Sequence, residues 1–280
     1  MSEEETMTAI SLLIKTAGIN KIRFTGGEPL LSPKFDFVAR RIREFELDDI
    51  SVTTNGQLVP SKIGVISDSG LKRINISLDT LNEKYFRKIS RSGDLKTVLR
   101  GISLLQAKGI SIKVNMVPMR GHNDDQILPM LDYCLKNGIE LRFIELMKMG
   151  HLRHSREFNG LFFGLPDILK LIADRYNFEK IESPADSTAI RYCVEGRGRF
   201  GIIANESEPF CSGCNRLRLS ANGRIFGCLS SSKSHSIKEL LGLPVEVAAE
   251  RTTEILGLAI ASKQQNSFRG ETTIMKFIGG

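Results

Sequence analysis

The sequence predicts an α/β fold built on a parallel sheet, and three observations predict it. Short strand-like runs alternate with amphipathic helices through the first half, and polar and apolar residues alternate within those runs. The 280 residues also suffice for one large α/β domain, or for such a domain with a small appendage.

The elements follow in order. Ser2 and Glu5 match a capping box, and Met7, Ile10, Leu13, Ile14 and Ala17 keep helical spacing until Gly18 ends the helix. Strands are predicted near 20–25, 49–54, 72–78, 110–117 and 140–146. Intervening helices carry apolar stripes: Leu95, Val98, Leu99, Ile102 and Leu105 before Gly109, then Ile127, Met130, Leu131, Cys134 and Leu135 before Gly138. Arg23 and Thr25 flank Phe24; Ser51, Thr53 and Asn55 alternate with Ile50 and Val52; Asn75, Ser77 and Asp79 alternate with Ile74, Ile76 and Leu78; Lys113 and Asn115 alternate with Ile112 and Val114. Period-two alternation sends the apolar set to one face, where helices cover it, and the polar set to the other. The polar set then lines an open barrel that holds a polar ligand, in preference to an antiparallel sheet with a wet face. Near residue 150 the cadence stops, which places a boundary between 1–150 and 151–280. Beyond it, helices are expected near 166–176 and 245–260.

Composition narrows the function classes. A net charge of +7 suits an anionic partner, either nucleic acid or a small polyphosphate. With no Trp and four Tyr there is no aromatic platform for single-stranded nucleic acid. The opening MSEEETM is acidic, and every apolar stretch is broken by charge before it could span a bilayer, so a cytoplasmic protein without membrane contact is expected. Five unevenly spaced cysteines do not make a disulfide framework.

Chemistry concentrates in FCSGCNRLRLSANGRIFGCL. Cys211 and Cys214 form CxxC, and a hairpin through Asn222-Gly223 would return Cys228 to them, making one metal or iron-sulfur site. Structural zinc would need a fourth ligand, for which Cys193 or His235 could serve; a three-cysteine iron-sulfur cluster would leave one iron open. Arg216 and Arg218, two apart on a strand, would share a face and suit phosphate oxygens. A second signal, Thr25-Gly26-Gly27-Glu28-Pro29, follows a strand, where paired glycines let a ligand approach the backbone and Glu28 could accept hydrogen bonds from it. His151 and His154 carry no assigned role, and Cys134 on its apolar helix face reads as core.

These segments resemble the radical-SAM family, and within it the GTP 3',8-cyclases of molybdenum-cofactor synthesis (MoaA). The resemblance runs through IRFTGGEPLL, TTNG at 53–56, RINISLDTL at 73–81, KVNMVPMRGHND at 113–124, FIELM at 143–147, the cysteine hairpin and the terminal Gly279-Gly280. It implies a partial (βα)6 TIM-like barrel and a small C-terminal iron-sulfur domain. It also implies a lyase that uses S-adenosylmethionine to abstract hydrogen from C3' of GTP, after which C3' joins C8. It assigns Arg23, Thr53, Lys113, Arg142, Arg216 and Arg218 to GTP; Gly26, Gly27, Ser77 and Met147 to S-adenosylmethionine; and Cys211, Cys214 and Cys228 to an auxiliary [4Fe-4S] cluster facing the guanine. A homodimer is admitted as an assembly.

The family's CxxxCxxC motif, which holds the radical-generating cluster, is missing here, and no cysteine precedes Cys134. The expectation is a barrel lacking its first strand, from a reading frame begun too late, and a chain without turnover as written. The alternative is a non-catalytic GTP-binding paralogue with a single structural metal site. Lys148 stands where the family usually has proline, and Asn266-Ser267 where it usually has histidine.

Overall fold

The computed structural model describes residues 1–184 and 187–264. The diglycine end and Asn266-Ser267 lie outside the described residues. Eight strands form one sheet: β1 (Lys21–Phe24), β2 (Asp49–Thr54), β3 (Arg73–Ser77), β4 (Ser111–Met116), β5 (Glu140–Ile144), β6 (Phe178–Ile181), β7 (Ile190–Val194) and β8 (Gly198–Ile203), in the order β1-β2-β3-β4-β5-β8-β7-β6. Neighbouring strands from β1 through β5 to β8 are parallel, and β7 and β6 close the sheet antiparallel.

The helices are α1 (Glu3–Ala17), α2 (Phe35–Arg41), α3 (Val59–Asp68), α4 (Glu83–Ser90), α5 (Leu95–Ala107), α6 (Ile127–Lys136), α7 (Glu157–Leu161), α8 (Leu165–Ala173) and α9 (Val245–Ala261). The capping box at Ser2 and Glu5 is present, and Gly18 terminates α1 in the left-handed conformation (φ 59°) that glycine adopts without steric cost. Asn82 and Asp94 cap α4 and α5 through their side chains.

The alternation read from the sequence is the organising fact of the sheet. Ile50, Val52, Ile74, Ile76, Ile112, Val114, Leu141 and Phe143 are buried in the main core with Val98, Ile102, Leu105, Met130 and Leu131 from the covering helices. Cys134 belongs to that core, and burial pushes its thiol up to about 12.

The sheet runs through residue 150 without a break, because β8 takes the place beside β5. The separate packing unit begins later. Ile225, Ile237, Leu240, Ala248, Leu256 and Ala259 form a second core with Ala9 and Leu12, whereas Met7 and Ile10 of the same helix enter the main core. One amphipathic helix thus joins both cores. In the second unit, β9 (Arg218–Leu219) and β10 (Arg224–Phe226) form the antiparallel hairpin expected through Asn222-Gly223, with Gly223 at φ 80°, and β11 (His235–Ser236) pairs with β10. The Gly150–Leu152 segment that carries His151 is a single 3₁₀ turn.

Candidate functional site

Parallel register stacks the polar residues in rows across the sheet. Arg23, Ser51, Arg73 and Ser111 form one row; Thr53, Asn75, Lys113 and Glu140 the next; Ser77, Asn115, Arg142, Gly201 and Arg191 a third. The rows climb toward the carboxyl ends of the strands, the side on which parallel α/β folds bind ligands. Every row carries at least one cation, and the Gly26-Gly27 loop after β1 and Met147 beyond β5 follow the carboxyl ends of their strands, where Ser77 closes β3.

Few carboxylates answer the cations. Glu140 Oε1 lies 2.9 Å from Lys113 Nζ and 3.5 Å from Arg142 Nε, and Oε2 lies 3.0 Å from Arg191 Nη2. Asp49 pairs with Arg73 at 2.5 Å. Arg23 donates to Ser51 Oγ at 3.4 Å, and Arg142 to Asn75 Oδ1 at 2.9 Å.

Burial, then repulsion from Arg73 and Arg216 against attraction from Asp49, lowers Arg23 from the ordinary arginine value. Burial lowers Arg142 to about 10; Glu140 opposes this, and Arg23, Arg73 and Arg191 reinforce it. Burial and Arg216 bring Arg218 to about 10, with the Cys214 and Cys228 sulfurs opposing. Lys113 is lowered by burial and by Arg142, despite Glu140. A lumen that disfavours its own positive charges gains stability from a bound anion.

Four buried side-chain atoms among the described residues have no hydrogen-bond partner, and three of them line this lumen: Arg73 Nε, Arg142 Nε and Asn115 Oδ1. Buried polar atoms are ordinarily satisfied, so two orphaned donors and one acceptor in one concavity mark a ligand's place.

At the rim, Gly26 has φ 140°, which side-chain-bearing residues rarely adopt, and a Cβ on either Gly26 or Gly27 would meet nothing within 4 Å. The loop is open to a close approach. The Glu28 carboxylate accepts from Leu30 N (3.1 Å), Thr54 Oγ1 (2.7 Å) and Asn55 N (2.8 Å), and so also fixes the loop to the end of β2. Glu145, which sequence reasoning passed over, is fully buried and accepts from Leu165 N, Glu206 N, Ser207 N and Ser207 Oγ. It ties the end of β5 to the start of α8 and to the turn leading into Cys211.

The hairpin brings Cys211, Cys214 and Cys228 into one electrostatic group. Burial raises the Cys211 thiol, and the sulfurs of Cys228 and Cys214 raise it further. At Cys214 burial is outweighed by the Arg216 backbone N–H and guanidinium and by Lys263, so that thiol falls below its ordinary value, toward the thiolate that metals bind. Arg216 also stacks over Phe210, 4.9 Å from the ring centroid. Beside them Ser187, Thr188, Phe210, Ser212, Gly213 and Asn215 line a cavity of about 200 Å³.

Among the described residues no three His, Cys, Asp or Glu side chains close on a point as the ligands of a single ion do. Three mutually coupled cysteines are the donor set that an iron-sulfur cluster uses. Of the candidate fourth ligands, Cys193 stands on β7 opposite Arg199, and His235 pairs with Ile225 on β10; neither contributes to the charge coupling at Cys211 or Cys214.

Arg73, Arg191 and Glu140 also escaped sequence reasoning. Arg73 was visible, because it shares the period-two phase of Asn75 and Ser77. Arg191 arrives from an antiparallel strand after the βα cadence has ended.

Comparison with known proteins agrees with this arrangement. Residues 1–134 match the Radical SAM superfamily, and residues 139–268 match Molybdenum Cofactor Synthesis C. The GTP 3',8-cyclase of Synechocystis sp. is 36% identical over 227 residues, 81% of this chain and 68% of that protein. That of Nautilia profundicola is 37% identical over 258 residues, covering 91% and 78% of the two chains. That of Campylobacter fetus is 34% identical over 283 residues, covering 99% and 85%. Streptococcus suis SuiB bound to S-adenosylmethionine shares the fold, with a TM-score of 0.64 at 15% identity over 88% of this chain and 58% of SuiB's length. Relatives matched across both the cation-lined lumen and the three-cysteine hairpin show that the chain belongs to the GTP 3',8-cyclase family of radical-SAM proteins.

Proposed function

We propose that the protein is a GTP 3',8-cyclase, taking GTP and S-adenosylmethionine to (8S)-3',8-cyclo-7,8-dihydroguanosine 5'-triphosphate in molybdopterin synthesis. The observation that carries this reading is the excess of buried cations, with orphaned donors among them, beside a cysteine hairpin whose Arg216 and Arg218 adjoin Arg23. A polyphosphate fits the cations, and Asn115 Oδ1, which a phosphate cannot satisfy, calls for a ligand that also donates, as the ribose or base of a nucleotide does.

In this reading Arg23, Thr53, Lys113, Arg142, Arg216 and Arg218 bind and orient GTP. Gly26, Gly27, Ser77 and Met147 hold S-adenosylmethionine at the rim, and Cys211, Cys214 and Cys228 hold a [4Fe-4S] cluster. When bound, S-adenosylmethionine would supply the hydrogen-abstracting radical of the family's reaction only with an electron from a radical-generating cluster, for which these 280 residues carry no CxxxCxxC ligands. The protein's own contribution is to fix C3' toward the rim by anchoring the phosphates deep in the barrel, and to keep water from the cluster side with Phe210 and the stacked Arg216.

The 280 residues bind one cluster, since no cysteine precedes Cys134. Work in the cytoplasm and assembly as a homodimer complete the proposal, the latter checked by light scattering. Among the described residues no helix is long and apolar enough to cross a membrane.

The test is anaerobic reconstitution followed by metal analysis and GTP titration. Iron and sulfide near four per polypeptide, with GTP binding that Cys228→Ala weakens, are expected. Zinc without sulfide, and GTP binding indifferent to Cys228→Ala, would instead establish a non-catalytic nucleotide binder with a structural metal.

A further inference from the structure

We propose that Arg73 and Arg191, to which the resemblance assigns no role, are further phosphate-contacting residues and bound the polyphosphate subsite on its two sides. The inference rests on the nucleotide reading above and says where the phosphates lie within the lumen.

Arg191 reaches the subsite through Glu140. The Glu140 carboxylate receives Lys113 on one oxygen and Arg191 on the other, at 2.9 and 3.0 Å. The two oxygens of a carboxylate are little over 2 Å apart, so the Arg191 guanidinium stands beside the cation of Lys113, and it is one of the charges that depress Arg142. The backbone is shaped for this meeting. Gly201 lies in register between Arg142 and Arg191, and a Cβ there would fall 3.1 Å from Ala189 Cβ and 3.6 Å from Arg142 Cγ.

Arg73 closes the other side. Nη2 is engaged by Asp49, but Nε is buried and unpartnered, a donor held ready in the row that also contains Arg23. Three cations around one carboxylate leave net positive charge that Glu140 cannot neutralise. A phosphoryl group is a doubly charged acceptor whose geometry matches the guanidinium fork. Surface ion pairs need no such convergence, since an Arg and a Glu suffice for one. Here Glu140 keeps mutually repelling cations at close quarters until an anion completes the set.

The experiment uses the full chain with its cluster reconstituted, titrated with GTP, GMP and inorganic triphosphate. Wild-type protein, Arg191→Gln, Arg73→Gln and the charge-retaining Arg191→Lys are compared, with thermal melting as a control for folding. Loss of one charge-assisted contact predicts at least a tenfold weaker affinity for GTP and for triphosphate, and less than a threefold change for GMP. Arg191→Lys keeps the charge and regains part of the lost affinity for triphosphate.

Equal losses for GTP and GMP, or unchanged affinities with a lowered melting point, would overturn the assignment and leave two structural ion pairs. If wild-type protein binds triphosphate in an Arg73- and Arg191-dependent manner but not GTP, the phosphate assignment stands and the nucleotide reading falls.

Discussion

Replacing Glu145 with glutamine changes one atom of a fully buried side chain and should unfasten the cysteine segment from the barrel. In the native protein Oε1 accepts from Leu165 N at 2.8 Å and Ser207 Oγ at 2.5 Å, and Oε2 accepts from Glu206 N and Ser207 N, each at 2.9 Å. All four partners donate, which only a carboxylate can satisfy at both ends. An amide must turn its NH2 toward one pair. Facing the Glu206 and Ser207 backbone it orphans two N–H groups. Facing the other pair it orphans Leu165 N alone, because the Ser207 hydroxyl can rotate to accept, and this arrangement is the cheaper.

The loss is one hydrogen bond to a charged acceptor together with a stranded buried donor, about 3 kcal/mol in all. For a chain of this size that is a fall of roughly 6 °C in the melting midpoint. Thermal unfolding followed by circular dichroism measures it. Limited proteolysis should also show faster cleavage between residues 204 and 214, since the turn there loses its anchor before the sheet melts. A midpoint within ~1 °C of wild type, with unaltered cleavage, would refute the reasoning, because the four donors would then have other acceptors.

Two further outcomes follow from the geometry. A Cβ at Gly227 would fall 1.9 Å from the Ala259 carbonyl oxygen, backbone against backbone, so Gly227→Ala must push the hairpin off α9, at a cost of about 2 kcal/mol or more. Reduced melting temperature and reduced iron retention, both read on the same preparation, check it. Glu140 supplies the pH dependence: burial raises its carboxyl, but Lys113, Arg142 and Arg191 outweigh that and leave it below the ordinary glutamate value. The stability Glu140 contributes is therefore fully present above the unfolded-state pKa of about 4.3 and is lost as pH falls through its lower folded value. Glu140→Gln should remove that part of the acid unfolding limb, and an unchanged limb in acid titrations monitored by fluorescence of a bound dye would contradict the assignment.

The sheet was legible because its two faces meet different surroundings. Ile74 and Ile76 had to be covered and Asn75 and Ser77 had to face the lumen, so alternation alone placed β3 and its polar row. The cysteine hairpin was legible because Asn222-Gly223 is a turn signal whatever surrounds it. The loop-anchoring part of Glu28 was not legible, because a carboxylate after two glycines does not reveal in sequence that Thr54 and Asn55, 26 and 27 residues away, donate to it. The continuation of the sheet past residue 150 was hidden for a similar reason. β6 and β7 arrive without intervening helices, and nothing local says that β8 will lie beside β5. Arg191 and its partnership with Glu140 could not be found before that pairing was known.

The pairing of β8 with β5 has a consequence for how the protein can be taken apart. A fragment ending near residue 150 would keep every parallel strand from β1 to β5, yet it would leave β5 with a bare row of amide and carbonyl groups along one side. An uncapped strand of that kind recruits whatever extended chain it meets, its own copies first. The two stretches recognised as separate families are therefore not interchangeable cassettes. They share a single ladder of hydrogen bonds, and a graft between relatives keeps its solubility only if the crossover leaves β5 and β8 from the same parent.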